Sequence, residues 1–194
     1  MPLHFAPNLS MLYYEVPFLD RFERAAKAGF RLVEFLFPYE FSPQEIRSRL
    51  DTFGLQAVLF NINPGDMSKG ERGSMGDPDQ RSFFRQSFEQ ALHYATSLSV
   101  PRIHMMIGNR NPNYNDEAQI DCALENLAWA APQAAQAHVN LLIEPLNATD
   151  MPGYLIRTNA DGMRIVNGAN QPNVKLQFDV YHTQMTSGNL INAL

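Results

Sequence analysis

Two carboxylates stand at the ends of apolar runs. Glu144 closes Leu141-Leu142-Ile143-Glu144 and precedes Pro145, and Asp179 closes Val174-Lys175-Leu176-Gln177-Phe178-Asp179. A carboxylate at the mouth of a buried strand costs free energy unless it is paired, hydrogen-bonded or bound to a cation. Either residue alone reads best as a helix cap or the partner of an arginine. Both together, at matching strand ends, read as a site able to share one oxygen-loving divalent ion, Mg²⁺ or Mn²⁺. His182 lies three residues after Asp179, over the same mouth. His104 sits within an apolar run and reads equally as a core histidine or a site group. His4, His93 and His138 have no supporting context and read as structural.

Two loops carry further candidates. The stretch from Phe60 to Gly73 exceeds the usual strand-to-helix connection, and long loops in compact domains often act as lids. Within it Arg72, between Glu71 and Gly73, offers a planar fork that suits a substrate carboxylate. The competing reading is a surface loop with an exposed ion pair. In the segment Asn147–Tyr154, Asp150 could meet a substrate hydroxyl or hold a turn, and the residue types there favour the turn.

The elements that must position these groups follow from periodicity. Strands are expected at Leu3–Ala6, Leu32–Phe37, Gln56–Phe60, Arg102–Ile107, Asn140–Glu144 and Lys175–Asp179. Amphipathic helices lie between them. Phe18, Leu19, Phe22, Ala25 and Ala26 mark the first, which Gly29 stops. Ser42-Pro43-Gln44-Glu45 is a capping box that starts the second, and Gly54 ends it. Asp77-Pro78-Asp79-Gln80 starts the third in the same way. The fourth spans about Asp116 to Ala137, with a kink expected at Pro132. A shorter helix follows Thr158, and the last begins near Tyr181.

Six β-α repeats imply a parallel sheet, as an open doubly wound sheet or as a TIM barrel. No Gly-rich phosphate loop follows the first strand, which lowers the dinucleotide-binding option. Polar groups cluster instead at the C-terminal ends of different strands: Asn8 and Ser10, Asn61, Glu144, Asp179. A barrel active site has that distribution. No linker, low-complexity tract or second domain is visible, so residues 1–194 read as one domain.

Composition narrows the partners. The 194 residues carry a formal net charge of −5 and a pI near 5.5, which argues against nucleic acid or an anionic membrane as partner. Cys122 is the single cysteine, so neither an internal disulfide nor a cysteine-based zinc site is available. No secretory leader or long apolar run is present, and the cytoplasm is the expected location.

Together these stretches resemble the hydroxypyruvate isomerase family of the xylose isomerase-like TIM barrels. The resemblance is carried by Phe5-Ala6-Pro7-Asn8-Leu9-Ser10-Met11, Val33-Glu34-Phe35-Leu36-Phe37-Pro38-Tyr39, the Phe60–Gly73 loop, Leu142-Ile143-Glu144-Pro145-Leu146-Asn147 and Gln177-Phe178-Asp179-Val180-Tyr181-His182. Close relatives of that family include 2-oxo-tetronate isomerases, and more distant ones ketose 3-epimerases. The resemblance implies that Glu144 is a metal ligand and proton carrier, and that Asp179 is a second ligand to Mg²⁺ or Mn²⁺. It implies that His182, Asp150 and Arg72 contact an oxo-acid or sugar-acid substrate, and it leaves His104 a candidate contact. The implied reaction interconverts hydroxypyruvate and 2-hydroxy-3-oxopropanoate through an enediolate. A barrel of this kind typically takes about 250 residues, so the expected fold is α/β, an incomplete (β/α)₈ barrel. The remaining ligands and second acid/base are expected beyond Leu194. Unpaired edge strands would favour association between copies of the chain, and an inactive barrel with only a binding role is the remaining alternative.

Overall fold

The computed structural model describes residues 3–193. Five strands form one sheet in the order β1 (Leu32–Glu34), β2 (Gln56–Asn61), β3 (Arg102–His104), β4 (Asn140–Ile143) and β5 (Val174–Leu176). Every neighbouring pair is parallel. A doubly wound sheet would reverse its strand order at a switch point. Here the order never reverses, and successive crossovers of one hand place their helices on one side. Consistent with that, α1 (Phe18–Lys27), α2 (Pro43–Phe53), α3 (Arg81–Leu98), α4 (Asp116–Gln136) and α5 (Asn159–Ala169) each pack on the next. This is the outer layer of a TIM-barrel-like fold. Two short helices, α6 (Val180–Thr186) and α7 (Leu190–Ala193), follow β5.

Local chemistry explains most helix ends. The Ser42 hydroxyl accepts from Glu45 N, and Glu45 Oε2 accepts from Ser42 N at 2.8 Å. Gly54 closes α2 in the left-handed region at φ +62°, where a Cβ is costly. Thr158 and Asp161 form a second capping box at α5. The expected third helix starts in two steps: Asp77 caps a 3₁₀ turn, Pro78–Gln80, which leads into α3. Pro132 does not break α4, which continues to Gln136. Both Pro132 and Ala128, whose carbonyl loses its helical donor, are exposed, so water can serve that carbonyl.

The first expected strand is the main correction. Leu3–Ala6 does not pair, and Leu3 and Phe5 are largely exposed. Pairing occurs later, as a single parallel bridge of Asn8 to Glu34. Pro7 has no N–H to donate, so the contact reduces to Pro7 O accepting from Glu34 N and Leu9 N donating to Glu34 O. Six expected strands are thus five and a bridge. β1, β3, β4 and β5 end before their expected bounds, at Glu34, His104, Ile143 and Leu176, whereas β2 runs one residue longer than expected, to Asn61.

Aromatic packing holds the frame. Phe22, Phe35 and Phe60 are fully buried, with ring centroids 6.2 Å apart from Phe22 to Phe35 and again from Phe35 to Phe60. Phe88 meets Trp129 edge-on at 5.4 Å and joins α3 to α4. Truncating such a ring to Ala costs about 3–5 kcal/mol.

Candidate active site

At the C-terminal ends of the strands lies a cavity of about 250 Å³. That is smaller than the ~300–1,000 Å³ of sites for drug-sized ligands and suits a small metabolite. Its polar wall comprises Asn8, Glu34, Asn61, Arg72, His104, Glu144, Gln177, Asp179 and His182. Phe35, Phe37, Leu59, Met67, Met106 and Leu146 supply much of the apolar remainder. Five of the six residues singled out in the sequence therefore share one cavity. Asp150 does not line it.

Glu144 follows β4 directly and is buried. Desolvation, and then the negative charge of Asp179, push its carboxyl up to about 8. Beside it His104 Nδ1 lies 3.3 Å from Glu144 Oε2, yet among the described residues neither ring nitrogen makes a well-formed hydrogen bond. Burial, and then the neighbouring His182, push the His104 imidazole down to about 3. The pair is thus a neutral imidazole against a carboxyl that resists ionisation, rather than an ion pair.

Asp179 caps α6, where its Oδ1 accepts from His182 N at 2.9 Å. That cap explains why Asp179 and His182 are three residues apart. Ligating atoms of Glu144, Asp179 and His182 all lie within 4.8 Å of one another. His182 Nδ1 also faces Asn147, 3.2 Å from its backbone N and 2.7 Å from its Nδ2. Asp150 stands outside this group. It is exposed, and its Oδ2 accepts from Asn147 Nδ2 at 3.0 Å and from the Tyr181 hydroxyl at 2.6 Å. The Tyr181 and Asn147 hydrogen bonds hold its carboxyl below the usual range.

Arg72 enters the wall from the long loop. Its Nη1 donates to Glu71 O at 2.7 Å and Met67 O at 3.2 Å. Among the described residues Nε and Nη2 make no hydrogen bond, which leaves the side-on fork open for a carboxylate. The loop returns to the sheet at Gly73, bridged to Ile107. Gly73 has φ +114°, and a Cβ there would collide with the Met106 carbonyl.

Sequence reading missed Glu34, Gln177 and Asn147. Glu34 ends β1 after Leu32 and Val33, the same apolar-then-acidic pattern as Glu144, so a signal existed. It was obscured because the run continues apolar through Phe37, while a register shift between Val33 and Glu34 turns the carboxylate into the cavity. Burial raises its pKa, and Asn8 Nδ2 donates to its Oε1 at 3.0 Å.

The donor set fits a hard divalent cation. Two carboxylates converge, and the Glu144 carboxyl is raised first by burial and second by the like charge of Asp179. The buried Gln177 Oε1 in the same wall has no hydrogen-bond donor among the described residues. Oxygen donors of this kind suit Mg²⁺ or Mn²⁺ rather than a soft metal.

The chain matches the family model of the xylose isomerase-like TIM barrel over residues 22–193. It is 48% identical over 187 residues to the 2-oxo-tetronate isomerase of Cupriavidus necator, covering 96% of this chain and 72% of that protein. It is 36% identical over 192 residues to the hydroxypyruvate isomerase of Escherichia coli, covering 99% and 74%. A crystal structure described as an AP endonuclease of family 2 from Brucella melitensis superposes with a TM-score of 0.95 at 42% identity, covering 99% of this chain and 74% of that one. D-psicose 3-epimerase from Clostridium cellulolyticum shares the fold, with a TM-score of 0.78 at 19% identity over 97% of this chain and 68% of that one. With a parallel sheet, a carboxylate-rich cavity at its C-terminal rim and relatives of this closeness, the chain belongs to the xylose isomerase-like TIM-barrel family and is an isomerase of its hydroxypyruvate and 2-oxo-tetronate isomerase group.

Proposed function

We propose that the chain moves a carbonyl between neighbouring carbons of a short 2-oxo acid: hydroxypyruvate to 2-hydroxy-3-oxopropanoate, or the equivalent change in a 2-oxo-tetronate. The observation that carries this reading is the placement of Glu144 and Asp179 within 4.8 Å in a small cavity. Arg72, in the same wall, supplies an open fork for the substrate carboxylate.

Glu144 and Asp179 would hold Mg²⁺ or Mn²⁺, whose contribution when bound is Lewis-acid polarisation of the carbonyl. The chain's own part is proton transfer and orientation. Glu144 takes the proton from the carbon beside the carbonyl, and the electron pair moves onto the carbonyl oxygen to give an enediolate. A proton then returns to the former carbonyl carbon, while the hydroxyl on the neighbouring carbon gives up its proton to the former carbonyl oxygen and becomes the new carbonyl. His182 faces a substrate oxygen, and the buried, neutral His104 keeps Glu144 away from water.

An endonuclease reading, after the activity ascribed to the Brucella protein, finds little support in this site. A chain of net charge −5 with three carboxylates in its cavity repels a phosphate backbone.

The test is turnover by the natural gene product of hydroxypyruvate, 2-oxo-tetronate and neutral ketoses, with Mn²⁺ present. Faster turnover of the oxo-acids, lost on Glu144→Gln, is expected. Preference for neutral ketoses, or loss of less than about tenfold in kcat/KM on Glu144→Gln, would refute the reading.

A further inference from the structure

His182 meets Asn147 through one nitrogen, and both groups it meets there are donors. The Asn147 backbone N lies 3.2 Å from His182 Nδ1 and can only donate. The Asn147 side chain is buried and its amide orientation is fixed. Its Oδ1 accepts from Thr149 N and Asp150 N, each at 3.0 Å. The group 2.7 Å from Nδ1 is therefore the amide Nδ2, whose second hydrogen goes to Asp150 Oδ2. A proton on Nδ1 would point into two other donors. A neutral imidazole in this setting carries its proton on Nε2 and accepts through Nδ1.

That tautomer has a consequence for the cavity. An imidazole binds a metal only through an unprotonated nitrogen. The Nδ1 lone pair is occupied by Asn147, and Nε2 bears a hydrogen. We propose that Asn147 is a positioning residue that locks His182 as an Nε2–H donor, so that His182 donates to a substrate oxygen and is excluded from the cation site despite its closeness to Glu144 and Asp179. The Asp150–Tyr181 contact supports the lock from outside, because Asp150 Oδ2 pins the Asn147 amide. This gives Asp150 a role two hydrogen bonds removed from the cavity. The assignment deepens the proposed function and rests on its reading of the cavity as the substrate site.

The test uses ¹⁵N-histidine-labelled protein, with the His182 signal identified by its loss in His182→Gln. In the wild type Nδ1 is expected in the unprotonated range and Nε2 in the protonated range. The double variant Asn147→Asp/Asp150→Asn keeps a hydrogen bond between the two positions with donor and acceptor exchanged, and presents an acceptor to Nδ1. It is expected to move a proton onto Nδ1. A protonated Nδ1 in the wild type overturns the proposal, as does an unchanged signature in a folded double variant. Mn²⁺ titration gives an independent reading that does not need that variant to fold. His182→Gln is expected to hold Mn²⁺ affinity within about threefold, whereas Asp179→Asn loses tenfold or more. Equal losses make His182 a ligand and overturn the lock. If the wild type binds no Mn²⁺, the cation reading of the site fails, and the nitrogen signature decides the tautomer by itself.

Discussion

The segment that follows β4 holds its polar groups through other elements. Asn147 meets His182 of α6, Asp150 meets Tyr181 of the same helix, and Tyr154 is buried with its hydroxyl accepting from Ile107 N at 3.1 Å. The segment that follows β2 satisfies itself instead. Asp66 accepts from Ser68 N at 3.0 Å, Glu71 Oε2 accepts from Asp66 N at 2.6 Å, and Arg72 Nη1 rests on the loop's own carbonyls. The first arrangement fixes groups against the frame, as chemistry needs. The second closes on itself and touches the frame at its end, where Gly73 bridges Ile107 and Asn109 Nδ2 donates to Gly70 O. Substitutions near β4 should therefore act on kcat, and those in the β2 loop on KM.

The sharpest test of that division is Glu144→Gln, expected to lower kcat by about 10²–10⁴-fold with little change in KM. Steady-state kinetics on the natural gene product would read it, and an effect confined to KM would break the comparison. Next in size is Asp179→Asn. Asn caps a helix about as well as Asp, so α6 should persist by circular dichroism while Mn²⁺ affinity falls at least about tenfold. Loss of helix together with affinity would make Asp179 a structural cap first. Arg72→Ala is expected to raise KM for an oxo-acid by about tenfold, the usual scale for one charge-assisted contact, with kcat nearly unchanged. A fall in kcat alone would show that this loop also positions reacting groups.

Stability without a cation should sharpen the same contrast. Glu144 has a folded pKa of about 8, above its ordinary 4.5. The native state then binds more protons than the unfolded one between those values, so stability falls as pH rises from about 4.5 to 8. His104 works on the acid side. Its folded pKa of about 3 lies below the ordinary 6.5, so stability rises with pH across that interval. Glu144→Gln is expected to remove the alkaline decline and raise Tm at pH 8, by about 2–4 °C for each kcal/mol recovered. An unchanged profile in thermal melts would mean that Glu144 ionises freely. The smallest effect is expected for removal of the Arg72 side chain, which should shift Tm little, since its contacts lie within an exposed loop.

The carboxylates just beyond the strands were legible, although the strand ends themselves were not, because burial and charge conflict there in a way composition reveals. Glu144, Asp179 and the Ser42 and Asp77 caps could be placed from residue types at fixed offsets. The lost first strand could not, because one isolated bridge at Asn8 leaves no period to detect. Glu34 needed a register shift, which depends on the partner strand and not on its own neighbours. Asn147 was invisible for a different reason: its meaning lies in which of its atoms faces His182, 35 residues away in the chain. Asp150 could be read as a turn former, and its exposure with bonds to Asn147 and Tyr181 fits that description.

On the proposed cation reading, the reluctance of Glu144 to ionise would couple loading of the site to acidity. Near neutral pH the cation-free carboxyl retains much of its proton, and on the proposed cation reading a divalent ion would bind as that proton leaves, so each loading event should release up to about one H⁺ to solvent. Apparent cation affinity should then weaken by up to about tenfold for each pH unit of acidification below 8.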